Sequence, residues 1–173
     1  EHHRAGMEHR ASYLVHAADV RDPLDWTPEH SRRARGFATD AALRELGRSG
    51  LTDLVERCCR FAHALVTRIG ALPNARAMCV PLINQGLVRF FAPRPGASDA
   101  DHDRRPDDVM AAINATGEAF FTGTTWRGMR CMRVSVSSWR TTDSDVDRAV
   151  AAAEGVLEEL GRAYGSRADS VAK

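Results

Sequence analysis

The segment that most constrains the fold is Arg130 to Ser138, where apolar and polar residues alternate. Successive side chains of a strand point to opposite faces. One face would carry Met132, Val134 and Val136. The other would carry Cys131, Arg133, Ser135 and Ser137. The pattern predicts a strand whose apolar face is buried and whose Arg133 cation points away from the core.

A guanidinium fixed on a strand is well suited to binding a carboxylate through two parallel hydrogen bonds. Arg133 is therefore a candidate substrate-binding residue. A purely structural role for an outward arginine is an equally good interpretation of this strand taken alone.

Helical patterns lie on both sides of this strand in the sequence. Apolar residues recur every three or four positions over 51–70, which predicts an amphipathic helix. Thr142 followed by Asp145 is a capping box. The helix that it opens is expected to bury Val146, Val150, Ala153, Leu157 and Leu160. Thr27-Pro28-Glu29 predicts another helix start, and a break is expected at 47–50.

The remaining segments predict strands near 76–80, 86–92 and 118–124, with a short helix at 107–115. The composition of 92–106 is that of a surface loop. Because the strands come in adjacent pairs with short links, we expect antiparallel neighbours. The predicted fold is α+β, a small, mostly antiparallel four-stranded sheet covered by helices on one face.

Composition excludes several functional classes. The net charge of +1 gives no field that would attract nucleic acid or an anionic membrane. No apolar run approaches a membrane span. The histidines and the four cysteines lack the spacing of metal ligands, so no metal site is predicted. The cysteines are interpreted as small buried groups with reduced thiols, which makes a cytoplasmic location the default.

Two further features concern the ends of the sequence. The chain begins at Glu1 within an amphipathic pattern, so we expect it to be the downstream part of a longer protein. Its one lysine is the last residue, Lys173. Chemistry that needs a buried lysine amine is therefore not expected of this chain alone.

Three blocks of sequence carry a family resemblance. They are DWTPEHSRRARGF, ALRELGRSGLTDLVERCC and TTWRGMRCMRVSVSSWRTTDSDVDR. In this order they resemble the C-terminal third of the group II pyridoxal-phosphate-dependent amino-acid decarboxylases, which include aromatic amino-acid, tyrosine, glutamate and diaminobutyrate decarboxylases. Nearly the whole chain is covered, apart from 92–106 and the last few residues. The match is specific for the family and weak for the substrate.

The resemblance implies the C-terminal domain of a fold-type I enzyme that uses pyridoxal 5'-phosphate, acts on an L-amino acid and forms a homodimer. It implies that 1–26 form a lid and the end of the cofactor domain, 27–48 a connecting helix, 49–165 the small domain and 166–173 a flexible tail. The lysine and the other residues that bind the cofactor would lie upstream, so no cofactor-binding residue is assigned to this chain.

The resemblance also assigns roles to individual residues. Tyr13 matches a tyrosine on a mobile loop that protonates the substrate carbon after carbon dioxide leaves, and a tyrosine there favours decarboxylation over aldehyde formation. Arg133 matches the arginine that holds the substrate carboxylate. Ser31 matches a position in the substrate pocket. A surface tyrosine and a helix-start serine remain alternative interpretations of Tyr13 and Ser31.

Two non-enzymatic hypotheses stay open. One is a freestanding, non-catalytic α+β module that binds an amino acid or a partner through the same Arg133. The other is a structural dimerisation domain with an exposed apolar patch. The residues upstream of Glu1 would distinguish these hypotheses, because a histidine-lysine motif there favours the enzyme.

Overall fold

The computed structural model of the protein describes residue 6 and residues 35–171. The helices of the described part are α1 (Arg35–Gly70), α2 (Asp99–Thr116) and α3 (Asp143–Val171). The strands are β1 (Ala75–Ala77), β2 (Gln85–Phe90), β3 (Thr122–Trp126) and β4 (Met129–Ser135). Helix α1 is broken at Gly47, whose φ of 61° and ψ of −170° suit glycine. The predicted break at 47–50 is confirmed, and the boundary between two compact units follows Gly47.

The four strands form one antiparallel sheet in the order β1-β2-β4-β3. Strand β4 pairs with β2 on one side and with β3 on the other, so it is an inner strand. A two-residue turn joins β3 to β4, and Arg127 and Gly128 both have positive φ, 49° and 78°. Such turns match the twist of paired strands. The predicted α+β class and antiparallel sheet are confirmed.

The core lies on one face of the sheet, where the helices pack. The sheet contributes the buried side chains of Val88, Phe90, Met132 and Val134. The helices contribute, among others, Phe61, Val66, Ile69, Val109, Ile113, Val146 and Ala153. The capping box predicted for α3 is present, since Thr142 N–H donates to Asp145 and Asp145 N–H donates to the Thr142 hydroxyl. The predicted buried stripe of this helix is confirmed, with Leu160 only half-buried.

The prediction of a surface loop over 92–106 is wrong from Asp99 onward. Helix α2 begins there, eight residues before the predicted start, because Ser98 and Asp101 form a complete capping box. Acidic residues in the first turn complement the helix dipole. Pro106 is buried inside the helix and belongs to the core-facing surface. The polar composition of this segment predicted a loop, although its second half begins a capped helix.

Asp103 of α2 ties this helix to two strands of the sheet. Its Oδ1 accepts a hydrogen bond from Arg89 Nη2 of β2 at 3.0 Å and another from Arg130 N of β4 at 3.0 Å. The Arg89 side chain is only 6% exposed. Because a buried guanidinium is costly without a counter-charge, this carboxylate is what allows Arg89 to lie inside the protein.

Removing the Asp103 carboxylate should destabilise the protein. We expect Asp103→Ala to lower the free energy of unfolding by about 2–3 kcal/mol, since Arg89 would remain buried without its partner. Urea unfolding measures the change. Asp147→Ala is the matched control, because it removes the Arg68–Asp147 pair, 2.6 Å apart, in which both side chains are exposed. This variant should lower the free energy of unfolding by less than about 1 kcal/mol. Equal losses in the two variants would contradict the importance of the Arg89 pair.

The capping box of α2 should make stability depend on pH. Hydrogen bonds from Ser98, with a contribution from Arg94, hold the pKa of Asp101 well below its ordinary value. A carboxyl with a lower pKa in the folded state stabilises that state above its unfolded pKa of about 3.9, and the contribution declines as the pH falls below it. Asp101→Asn should therefore lower the melting temperature near neutral pH, and the difference from wild type should narrow below about pH 3.

Thermal unfolding followed by circular dichroism at both pH values measures this difference. Asp99→Asn is the control, because it removes a first-turn charge and leaves the capping bonds intact. If the difference in melting temperature from wild type narrows at low pH equally in both variants, first-turn charge alone, and not the capping box, causes the pH dependence.

Candidate functional site

Strand β4 presents the candidate site as the alternation predicts. Met132 and Val134 are fully buried, whereas Arg133 between them is exposed on the opposite face. Both edges of β4 are hydrogen-bonded to other strands around this residue. The backbone that carries Arg133 is thus held on two sides, which limits the directions in which the guanidinium can point.

The sheet register identifies the side chains next to Arg133. Leu87 of β2 and Thr122 of β3 are directly opposite Arg133. Directly opposite residues point to the same face, with Cβ atoms about 4.5–5.5 Å apart. Gln85 and Ser135 form the next pair on the same face. Gln85 is two positions from Leu87 along β2, and Ser135 is two positions from Arg133 along β4. The residues directly opposite Arg133 on β2 and on β3 are therefore both uncharged.

Arg133 differs from the other arginines of its face in having no partner. Among the described residues, nothing forms a hydrogen bond or an ion pair with its side chain. Arg89 is paired with Asp103, and the Arg76 guanidinium lies 5.2 Å from the centre of the Phe91 ring. An exposed guanidinium with all its donors available can donate hydrogen bonds to the carboxylate of a ligand without breaking an internal bond.

Cys131 lies on the same face of β4 as Arg133, as predicted, but it is buried there. Burial raises the pKa of the Cys131 thiol, and Arg89 and Asp103 lie close enough to affect it. A buried thiol with a raised pKa is a poor nucleophile. Cys131 is therefore a packing residue, and the Arg89–Asp103 pair beside it is what the sequence pattern did not reveal.

A cleft of about 250 Å³ opens beside the end of β4. Its walls include Ser135 and Ser137 of the β4 segment, Phe120, and Asp145 of α3. Arg133 is exposed, as are Thr122 and Ser135 near it. Within the described residues the candidate carboxylate site is therefore an open sheet surface, and enclosing a ligand there would require a further surface above the sheet.

Arg133 is the one predicted site residue that falls within the described part of the chain. Tyr13 and Ser31 lie outside the described residues. Within residues 35–171, no group of three or more histidine, cysteine or acidic side chains is placed to hold a metal ion. None of the helices described is long and apolar enough to cross a membrane.

The residues present do not fit a complete pyridoxal phosphate site. That cofactor is held by a lysine amine and an acid at its ring nitrogen. The one lysine of the sequence is Lys173, which lies outside the described residues. Arg133 cannot replace the lysine, because the cofactor is held through an imine that requires an amine.

Comparisons with known proteins give a shared fold. No family model and no curated protein sequence matches the chain. A solved structure of Oryza sativa TDC with PLP and tryptamine matches with a TM-score of 0.68 and 20% identity, covering 91% of this chain and 33% of that one. Catharanthus roseus tryptophan decarboxylase in complex with L-tryptophan gives 0.64 and 17%, covering 91% and 33%. Mouse CSAD gives 0.64 and 12%, covering 89% and 34%.

The chain thus spans about a third of the length of the solved structures that it resembles. At these identities the likeness establishes the fold, and it agrees with the α+β fold expected from the sequence resemblance. The match extends over most of the chain, so the chain shares its fold with part of these larger proteins.

An arginine without a partner should be removable without loss of stability. We expect Arg133→Met to change the free energy of unfolding by less than about 0.5 kcal/mol, because no bond of the described structure is lost. Arg89→Met, on the same face, should cost about 1–3 kcal/mol, because Asp103 Oδ1 loses one of the two N–H groups that donate to it, the other being Arg130 N–H. Urea unfolding of both variants measures this, and a large loss for Arg133→Met would indicate a structural role.

Proposed function

We propose that the chain is the C-terminal part of a pyridoxal-phosphate-dependent L-amino-acid decarboxylase, in which Arg133 binds the carboxylate of the substrate. The observation that carries the proposal is the exposed Arg133 guanidinium on an inner strand, which has no hydrogen bond or ion pair with any described residue. It occurs in a fold shared with part of solved decarboxylase structures. The sequence blocks that resemble the family supply the second support.

The chemistry of Arg133 suits this task. Two parallel N–H groups of a guanidinium match the two oxygens of a carboxylate. A charge-assisted hydrogen bond of this kind contributes about 1.5–3 kcal/mol. Because β4 is paired on both edges, much of the ordering needed for binding is already present in the folded chain.

The cofactor and the remaining site residues would come from outside the described structure. Pyridoxal phosphate, when bound, supplies the electron sink that decarboxylation requires. Its lysine would belong to sequence upstream of Glu1. We propose that Tyr13 donates a proton to the substrate carbon from a lid formed by 1–26, and that Ser31, in the connecting helix 27–48, lines the substrate pocket. Residues 49–165 would be the small domain and 166–173 its tail.

We further propose a homodimer in the cytoplasm. Oligomerisation is what the family resemblance implies. The four cysteines are free thiols, the state maintained in a reducing compartment. The open surface above Arg133 also supports the proposal, since a site on this face needs additional protein to enclose it.

The proposal is tested on the protein encoded by the reading frame extended upstream of Glu1. With pyridoxal phosphate it should release carbon dioxide from an L-amino acid, whereas the 173-residue chain should release none. Arg133→Met should lower kcat/KM about 10- to 100-fold, because one charge-assisted contact to the carboxylate is lost. The cofactor absorbance spectrum should remain unchanged.

Arg76→Met is the matched control, since it removes another exposed arginine from the same face of the sheet. It should leave kcat/KM at the wild-type value. An Arg133→Met protein with wild-type kcat/KM would refute carboxylate binding by this residue. An extended protein that releases no carbon dioxide from any amino acid would refute the decarboxylase assignment.

A further inference from the structure

A row of side chains crosses the outer face of the sheet through Arg133. Thr122 of β3 and Leu87 of β2 are its direct neighbours. Met78 continues the row, because its N–H donates to the Leu87 carbonyl at 2.9 Å, one residue beyond the β1–β2 register. Leu87 and Met78 are each half-buried. On the β2 side, therefore, Arg133 borders apolar surface that extends for two strand spacings of about 4.8 Å each.

The second exposed cation of this face lies on another part of it. Arg76 is opposite Arg89, one row away from Leu87 and Arg133. Its guanidinium stacks on the Phe91 ring, and Phe91 follows Arg89 on the side away from Leu87. Arg76 is thus engaged with Phe91, in the row next to that of Leu87. Directly across β2 from Arg133, a second negative group on a ligand would meet Leu87 instead of a cation.

We infer that the ligand of Arg133 is a monocarboxylate whose uncharged, apolar substituent lies over Leu87 toward Met78. In the proposed function, on which this inference rests, the substrate class is an amino acid with an aliphatic or aromatic side chain. Placing an acidic or basic side chain over Leu87 would remove water from a charge without providing a partner. Placing an apolar one there buries hydrocarbon on both molecules.

The test is a titration of the 173-residue chain with acetate, 3-phenylpropionate and glutarate, followed by the amide NMR signals of β2 and β4. All three ligands carry the carboxylate that Arg133 would bind. We expect 3-phenylpropionate to bind at least about fivefold more tightly than acetate or glutarate, because only its phenyl group can contact Leu87 and Met78. Arg133→Met should abolish the binding of all three.

Two variants separate the apolar contact from the charge. Leu87→Thr keeps a residue that favours strands and should bring the affinity for 3-phenylpropionate to that for acetate. Arg76→Met should leave all three affinities unchanged. Tighter binding of glutarate that is lost in Arg76→Met would overturn the inference in favour of a dicarboxylate.

The remaining outcomes distinguish the inference from the proposed function. If Arg133-dependent binding is equal for acetate and 3-phenylpropionate, the inferred contact between an apolar substituent and Leu87 is refuted. Carboxylate binding by Arg133 is then still supported. If none of the three ligands binds in an Arg133-dependent manner, the sheet surface around Arg133 and Leu87 does not hold a monocarboxylate, and the inference is refuted. If the extended protein releases no carbon dioxide, the proposed decarboxylase function is refuted. The inference about ligand binding is tested separately, since the titration requires no catalysis.

Discussion

The alternation of side chains along β4 determines what both faces of the sheet can do. Met132 and Val134 are buried against the helices, and this packing fixes the position of the strand. Arg133 between them must then point to the opposite face. The stability of the core and the presentation of the cation are therefore two results of one strand. A ligand-binding residue placed on such a strand inherits the rigidity of the core behind it.

The second constraint is the carboxylate of Asp103, which bonds β2 and β4 through a single oxygen. It compensates the charge of Arg89 and secures the N-terminal part of α2 beside the sheet. Of the three arginines on this face, Arg89 is neutralised by this bond and Arg76 lies against an aromatic ring. Among the described residues, Arg133 is the arginine of this face whose side chain has no hydrogen bond, ion pair or ring contact, so its donors are open to an anion.

Local patterns in the sequence predicted most of the fold. The period of β4, the spacing of α1 beyond the Gly47 break and the capping box of α3 each depend on residues close together in the chain. The start of α2 was missed, although Ser98 and Asp101 have the same spacing as Thr142 and Asp145. The burial of Cys131 agrees with the interpretation of the cysteines as small buried groups, but it does not follow from the strand period, which places Cys131 on the same face as the exposed Arg133. The outward direction of Arg133 followed from the strand period, whereas its lack of a partner required the positions of all its neighbours.

The turn between β3 and β4 has a consequence for ligand recognition, although it contacts no proposed ligand. Arg127 and Gly128 set which residue of β3 faces which residue of β4. Shifting that pairing by one residue would exchange the two faces of the strand and direct the guanidinium into the hydrocarbon interior. The pairing of β4 with β2, by contrast, joins segments that are far apart in sequence. Two residues with positive φ thus set the register of β4, and the direction in which Arg133 points depends on a turn at the start of the strand.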